Sequence, residues 1–271
     1  MVIDILIALL VVSAVGVLAG VILTLASYFF SVPEDETEKQ LRECLPGVNC
    51  GACGYTGCDE YAKALAEGKT EPNLCVPGST DTAEKISEIL GIEVETPKDL
   101  VATLKCNGTC EAANKSAIYD GVNGCKAASL IYGGPNQCKY GCVGCGDCAK
   151  ICPVDAITIK DGIANIDTRK CIGCGVCAKI CPKSVIELVE QNRKTLVLCH
   201  NREKGAVARK ACKNACIACK KCELNCPHGA IKVIDNLAVI DYGKCVDCGI
   251  CAEVCPTKCI HRVDLYTSVI N

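Results

Sequence analysis

The 271-residue sequence predicts an α+β chain: one N-terminal transmembrane helix, a small cysteine-rich domain, a cysteine-bearing connector and two tandem modules of one repeated design. Three observations predict it. An apolar stretch without a charge runs for 26 residues from Ile5 to Phe30. A pattern C-x2-C-x4-C-x16-C follows at Cys50, Cys53, Cys58 and Cys75. The run C-x2-C-x2-C-x3-C-P then occurs four times: at Cys142, Cys145, Cys148 and Cys152; at Cys171, Cys174, Cys177 and Cys181; at Cys216, Cys219, Cys222 and Cys226; and at Cys245, Cys248, Cys251 and Cys255. The corresponding limits are 1–31 for the anchor, 32–92 for the small domain, 93–137 for the connector, and 138–198 and 199–271 for the two modules.

The apolar stretch exceeds the ~20 residues that a spanning helix needs. A secretory signal would carry a basic segment before an apolar core of about 7–15 residues, whereas only Asp4 precedes this stretch and no Lys or Arg does. The first basic residues, Lys39 and Arg42, follow it, so the charge rule for membrane loops places the C-terminal side in the cytoplasm of a cell-membrane protein, with acidic Glu34, Asp35, Glu36 and Glu38 lying between. Gly16-x3-Gly20 offers a small-residue packing face, although an isolated glycine pair also suits a lipid-facing helix.

The four runs start at residues 142, 171, 216 and 245, so each pair is offset by 29 residues and the whole pair repeats after 74. Three thiolates two residues apart let one tight loop cap three irons of a cubane, and in two-cluster proteins with this run the fourth cysteine serves the other cluster. The exchange groups Cys142, Cys145 and Cys148 with Cys181, and Cys171, Cys174 and Cys177 with Cys152. In the second pair it groups Cys216, Cys219 and Cys222 with Cys255, and Cys245, Cys248 and Cys251 with Cys226. Between runs, "AITIKDGIANID" and "AIKVIDNLAVID" read as hairpins turning at Asp161-Gly162 and Asp235-Asn236. Segments such as "CGVCAKICP" suit a short helix leaving the cluster loop. On these residues the C-terminal half resembles two bacterial 2[4Fe-4S] ferredoxin modules in tandem. Its 28 cysteines also allow a disulfide framework, and paired C-x2-C knuckles allow zinc. Neither gives the third cysteine of each run a task.

Around Cys50, Cys53, Cys58 and Cys75, three close thiolates and one distant one again suit a cubane, with a zinc knuckle as the alternative. The segment "LPGVNCGACGYTGC" resembles the four-iron–four-sulfur domain of the B subunit of the Rnf complex and of some corrinoid proteins. With the anchor and the ferredoxin modules, the resemblance to clostridial-type Rnf B subunits covers nearly the whole chain. It implies a component of a membrane-bound ferredoxin:NAD oxidoreductase coupled to Na+ or H+ transport. It further implies reduced ferredoxin as donor, the other Rnf subunits as partners, and flavin and NAD chemistry on those partners instead of on this chain. The alternative is a membrane-tethered polyferredoxin of a hydrogenase or formate-linked complex.

In the connector, Cys106, Cys110, Cys125 and Cys138 are expected to hold a further cubane, which would bring the total to six. Cys138-x3-Cys142 has a counterpart in Cys212-x3-Cys216, so Cys138 also reads as a feature of the module. Cys44, Cys199, Cys212 and Cys259 are left as buried thiols without a ligand role.

With 2 Phe, 1 Met and no Trp, the modules have little aromatic core, and metal–thiolate bonds are the expected staples. Charge is uneven: residues 32–100 carry 6 Lys/Arg against 15 Asp/Glu, residues 138–198 carry 9 against 6, and residues 199–271 carry 11 against 7. Each bound cubane would add about −2, so this balance does not identify a docking end for an acidic donor; Lys210, Lys213, Lys220 and Lys221 fit a docking patch or a solvated face. His200, His228 and His261 are scattered, and neither G-x-G-x-x-G after a strand nor G-x-x-x-x-G-K-[ST] occurs, which gives no support to acid–base catalysis or nucleotide binding. A basic stripe with interleaved aromatics is also missing, so nucleic acid is not an expected partner. Replacing Cys50 or Cys53 by Ser should remove one cluster's iron and leave membrane insertion intact. Iron analysis of purified membranes checks this, and unchanged iron in both variants would refute a cluster in that domain.

Overall fold

The computed structural model describes residues 2–29, 35–92, 99–267 and 269–270. Helix α1 (Val2–Phe29) has 28 residues, a length of about 42 Å at ~1.5 Å per residue, against about 30 Å of hydrocarbon in a bilayer. Its stretch Leu9–Ser27 has a mean hydropathy of 2.6 and no burial against the rest of the chain. By length and composition the helix is able to cross a membrane. Phe30 and Glu34 lie outside the described residues, as does the expected boundary at 31–32.

Helices α2 (Glu36–Cys44), α3 (Cys58–Ala66) and α4 (Ser79–Leu90) build the small domain. Asp35 caps α2 by accepting a hydrogen bond from the Thr37 N–H at 2.9 Å, and Glu36 and Glu38 sit at the positive end of the helix dipole. The three helices meet on Leu41, Leu45, Tyr61, Ala62, Leu65 and Ile86, against which Cys53, Cys58 and Cys75 pack. The buried Tyr61 hydroxyl donates to the Glu71 carbonyl (2.9 Å) and accepts from the Leu74 N–H (3.3 Å). It thereby fixes the loop that carries Cys75 over the helix that starts at Cys58.

The rest of the chain repeats one unit. The first copy comprises β1 (Leu100–Leu104), α5 (Cys125–Leu130), α6 (Asp147–Lys150), β2 (Ile157–Lys160), β3 (Ile163–Asp167), α7 (Val176–Ile180) and β4 (Ile186–Glu190). The second comprises β5 (Thr195–Val197), α8 (Gly205–Ala211), α9 (Lys221–Leu224), β6 (Ile231–Ile234), β7 (Leu237–Ile240), α10 (Ile250–Glu253) and β8 (Ile260–Arg262). A last strand, β9 (Val269–Ile270), returns to pair with β3. Both expected hairpins are present, β2 with β3 (Ile157↔Ile166) and β6 with β7 (Ile231↔Ile240). Their turns place Asp161 and Gly162 at φ 51° and 77°, and Asp235 and Asn236 at φ 50° and 64°. Two consecutive left-handed residues match the right-handed twist of the flanking strands.

The strand pairings displace the expected boundaries. β1 falls in the segment read as connector, yet it pairs antiparallel with β4 of the first module, Leu100↔Glu190 through Leu104↔Ile186. β5 falls within 138–198, yet it pairs with β8 of the second module, Thr195↔Arg262 through Val197↔Ile260. Each module thus starts with a strand that closes its outer ladder, and the limits at 137–138 and 198–199 move toward the N-terminus. The physical reason is burial of both faces of these strands. Ala102 and Leu104 face the first module's core and Val197 faces the second's. Val101, Val189, Leu196, Leu198 and Leu265 form a separate apolar seam, which packs the β1–β4 ladder on the chain of β5.

The cluster loops share one backbone path. The residues before and after the second cysteine of each run have positive φ: Gly144 and Gly146, Gly173 and Gly175, Ala218 and Lys220, Asp247 and Gly249. At Gly144 the need for glycine is also steric, since a Cβ there would collide with the Gly162 carbonyl oxygen of the hairpin turn. Gly144→Ala should therefore cost about 1–3 kcal/mol and loosen the first loop. Anaerobic thermal unfolding with iron analysis should show a lower Tm and loss of one cluster's iron; an unchanged Tm would contradict the close approach.

Candidate metal centres

The small domain gathers its cysteines where the chain bends tightly. Asn49 turns at φ 51° and its Oδ1 accepts from the Cys58 N–H at 2.8 Å, tying the Cys50 loop to the first turn of α3. Cys75 lies among Cys58, Cys50 and Cys53; burial first, then these neighbours, push its thiol up to about 11. Cys44 is set apart, its Sγ donating to the Leu41 carbonyl at 3.0 Å.

In the first module, Cys148 lies among Cys142, Cys125, Cys181 and Cys177, and burial followed by these thiols pushes it up to about 12. Cys177 lies among Cys171, Cys174 and Cys152 and is likewise pushed up to about 12, chiefly by burial. The structure therefore brings Cys181 beside the first run and Cys152 beside the second. In the second module, Cys222 lies among Cys216, Cys219 and Cys255, and burial pushes it up to about 12. Cys251 lies beside Cys245 and Cys248, with Cys226 in reach of Cys245. Burial works to raise the Cys226 thiol, yet it falls below the ordinary range because the backbone N–H groups of Ala230, His228, Ile231 and Gly229 together outweigh that effect. His228 contributes its backbone here, while its side chain is exposed.

Burial chiefly, and crowding second, raise these thiols, and a bound cation would offset the cost of removing their protons. Among the described residues, no three His, Cys, Asp or Glu side chains converge as ligands of one ion do. Cavities with apolar lining fill these spaces. The empty volume, counted out to the mouth, is about 370 Å³ beside Cys142, Cys148 and Cys181, about 290 Å³ beside Cys216, Cys219, Cys222 and Cys255, and about 350 Å³ beside Cys226, Cys245, Cys248 and Cys251.

The four connector cysteines do not share one place. Cys125 lies beside Cys145, Cys142 and Cys148 of the first run, with its N–H donating to Asp147 Oδ2 at 2.7 Å. Cys110 is exposed against the hairpin turn at Asp161-Gly162. Cys106 and Cys138 meet each other instead at the seam between the modules, where Cys199 and Cys212 also lie. The expectation that Cys106, Cys110, Cys125 and Cys138 form one group is thus not what the structure assembles. The reason is the pairing of β1 with β4, which sends Cys106 to the module interface while the loop after it carries Cys110 and Cys125 around the first hairpin. Sequence reasoning left Cys199 and Cys212 without a partner. The signal was available in the pair Cys138 and Cys142, which recurs 74 residues later as Cys212 and Cys216.

Cys259 is buried with its Sγ 3.6 Å from Cys255 Sγ and hydrogen-bonded to Cys216. The sulfurs of Cys259, Cys255 and Cys216 share hydrogen bonds, which lower the Cys216 and Cys255 thiols and raise that of Cys259.

These sites define a membrane-anchored protein with several iron–sulfur centres, and the comparisons agree. A family model described as "Putative Fe-S cluster" matches residues 45–77, and one described as "4Fe-4S dicluster domain" matches residues 141–185, 170–230 and 215–259. The chain is 41% identical over 246 residues to the B subunit of the Na(+)-translocating ferredoxin:NAD(+) oxidoreductase complex of Acetobacterium woodii, covering 90% of this chain and 74% of the relative. It is 38% identical over 259 residues to the B subunit of the proton-translocating ferredoxin:NAD(+) oxidoreductase complex of Clostridium ljungdahlii, covering 94% and 91%. It is 36% identical over 251 residues to the B subunit of the ion-translocating oxidoreductase complex of Methanosarcina acetivorans, covering 92% and 95%. The chain belongs to the family of B subunits of these ion-translocating oxidoreductase (Rnf) complexes.

If Cys259 donates to a ligand sulfur, Cys259→Ala should retain full iron and shift the potential of the adjoining cluster to more negative values, because hydrogen bonds to the sulfurs favour the reduced state. A redox titration of the purified chain reads this, and an unshifted potential would contradict the hydrogen bond.

Proposed function

We propose that this chain is the iron–sulfur electron-transfer component of an Rnf-type complex, taking electrons from reduced ferredoxin and relaying them toward the membrane and flavin- and NAD-bearing partners, with transport of Na+ or H+ coupled to that flow. The observation that carries the reading is the exchange of the fourth cysteine within each module: Cys181 with Cys142 and Cys148, Cys152 with Cys177, Cys255 with Cys222, and Cys226 with Cys245. This arrangement supplies four thiolates to each of two adjacent cubanes in every module. Cys50, Cys53, Cys58 and Cys75 are the ligands of a fifth. A bound cubane supplies one-electron chemistry at low potential. The chain's own part is to set distances, bury the sulfurs and direct N–H groups at them, as the loop after Cys226 does.

Adjacent centres lie near one another through their cysteines. Cys174 of the second run lies in reach of Cys50, and Cys148 of the first run lies in reach of Cys177. The order of centres therefore begins at the small domain beside the membrane anchor, passes to the second run and then to the first. Lys39 and Arg42 after the span support a cytoplasmic position for all of them.

The test is ferredoxin-dependent NAD reduction by membranes of a strain whose copy of this chain carries Cys171→Ala and Cys174→Ala. Loss of that activity, with NADH oxidation by an artificial acceptor preserved, is expected. Full retention of ferredoxin-dependent activity would overturn the assignment.

A further inference from the structure

We infer that Cys106, Cys138, Cys199 and Cys212 hold a sixth [4Fe-4S] cluster at the interface of the two ferredoxin modules, joining their cluster pairs into one electron path. This deepens the electron-transfer reading above and rests on it.

The four cysteines come two from each module and occupy equivalent places. Cys106 is the second residue after β1, and Cys199 the second after β5; the residues between them donate in the same way, Lys105 N–H to the Val185 carbonyl and Leu198 N–H to the Cys259 carbonyl, both at 2.7 Å. Cys138 and Cys212 each stand four residues before the first cysteine of a module's leading run. One repeated unit thus presents the same pair of thiols twice to a shared seam. Between them lies a cavity of about 390 Å³ of empty volume, close in size to those beside the ferredoxin runs, which measure about 290–370 Å³.

The walls of this cavity leave the space between the sulfurs open. Gly108, Gly141, Ala113 and Ala215 line it. A Cβ on Gly141 would stand 3.5 Å from both Cys106 Sγ and Cys138 Sγ, and one on Gly108 would stand 3.3 Å from Cys106 Sγ and 3.7 Å from Cys212 Sγ. Small residues therefore occur where side chains would fill the space between the sulfurs. Donors are aimed at all four sulfurs. Cys106 Sγ accepts from Gly108 and Cys142 N–H, both at 3.4 Å, Cys199 Sγ from Cys216 N–H at 3.3 Å, and Cys138 Sγ from Asn201 Nδ2 at 3.4 Å. Cys212 Sγ accepts from the backbone of Asn214 and Ala215. Cys199, Cys212 and Asn201 are buried, with 7%, 6% and 1% exposure.

Two of those donors give the site its role. Cys142 and Cys216 are the first ligands of the leading run in each module, and each donates its own N–H directly to a sulfur of the central set. A cluster here would have a ligand-to-ligand contact on either side, so an electron bound for the membrane would reach it from the cubane at Cys216 through Cys199 and leave through Cys106 toward the cubane at Cys142. Loading deprotonates four thiols and releases their protons, and each transfer then moves one electron between clusters with no bond broken.

The test is iron and acid-labile sulfide per chain on the full-length protein purified anaerobically in detergent. The unsubstituted chain should carry about 24 irons, and Cys199→Ala with Cys212→Ala should carry about four fewer, as should Cys106→Ala with Cys138→Ala. All four substitutions together should lose no more than either pair, whereas Cys110→Ala should lose none. About 20 irons in the unsubstituted chain would overturn the central cluster and leave the electron-transfer reading standing, whatever the folding of the variants. Loss of about four irons from Cys110→Ala with none lost from Cys106→Ala and Cys138→Ala would equally overturn it. Zinc without sulfide would overturn both.

Discussion

A short loop can bring three thiolates to one cubane, and the fourth has to arrive from elsewhere in the chain. That requirement organises the fold. In each module the fourth cysteine of one run lies near the other run, Cys181 by Cys148, Cys152 by Cys177, Cys255 by Cys222 and Cys226 by Cys245. In the small domain the same role falls to Cys75, carried over α3 by the Tyr61 hydroxyl. The distant ligand links segments that the apolar core alone would hold weakly, since the cores consist largely of Ala, Val, Ile and Leu with cysteines built into them. Metal binding and folding are then one process, as they are in other small cysteine-ligated domains.

The same economy explains the loops. Eight residues flanking the second cysteines adopt positive φ, and five of them are glycine. Ala218, Lys220 and Asp247 hold that conformation without glycine's freedom, which costs of order 1 kcal/mol each. The loop geometry demanded by the cluster therefore prevails over local preference. In the second module, Cys259 adds a thiol hydrogen-bonded with Cys216 and Cys255 at the place that Val185 occupies in the first. Equivalent cubanes of the two modules thus have different surroundings, one route to unequal potentials along a single path.

Much of this was legible in the residues. The spacing of the runs anticipated that Cys181 lies near Cys148 and Cys152 near Cys177, Asp161-Gly162 and Asp235-Asn236 carried the hairpins, and the uncharged stretch carried the long apolar helix. The seam between modules was not legible. β1 and β5 are five and three residues long, too short for a periodic signal, and their partners lie more than 60 residues downstream. Without those pairings, Cys106 could be grouped only by nearness in sequence with Cys110 and Cys125, and Cys199 had no group at all. The 74-residue repeat of Cys138-x3-Cys142 was the trace that long-range pairing left in the sequence.

The central claim is a continuous line of adjacent [4Fe-4S] clusters. Low-temperature electron paramagnetic resonance of the anaerobically purified chain, fully reduced, tests it most directly, because neighbouring reduced cubanes broaden and split one another's signals. A continuous line predicts a broad envelope of coupled signals, which simplifies as the potential is raised and neighbours are oxidised one at a time. A sum of sharp, independent spectra from isolated clusters, or the absence of any reduced-cubane signal, would contradict it.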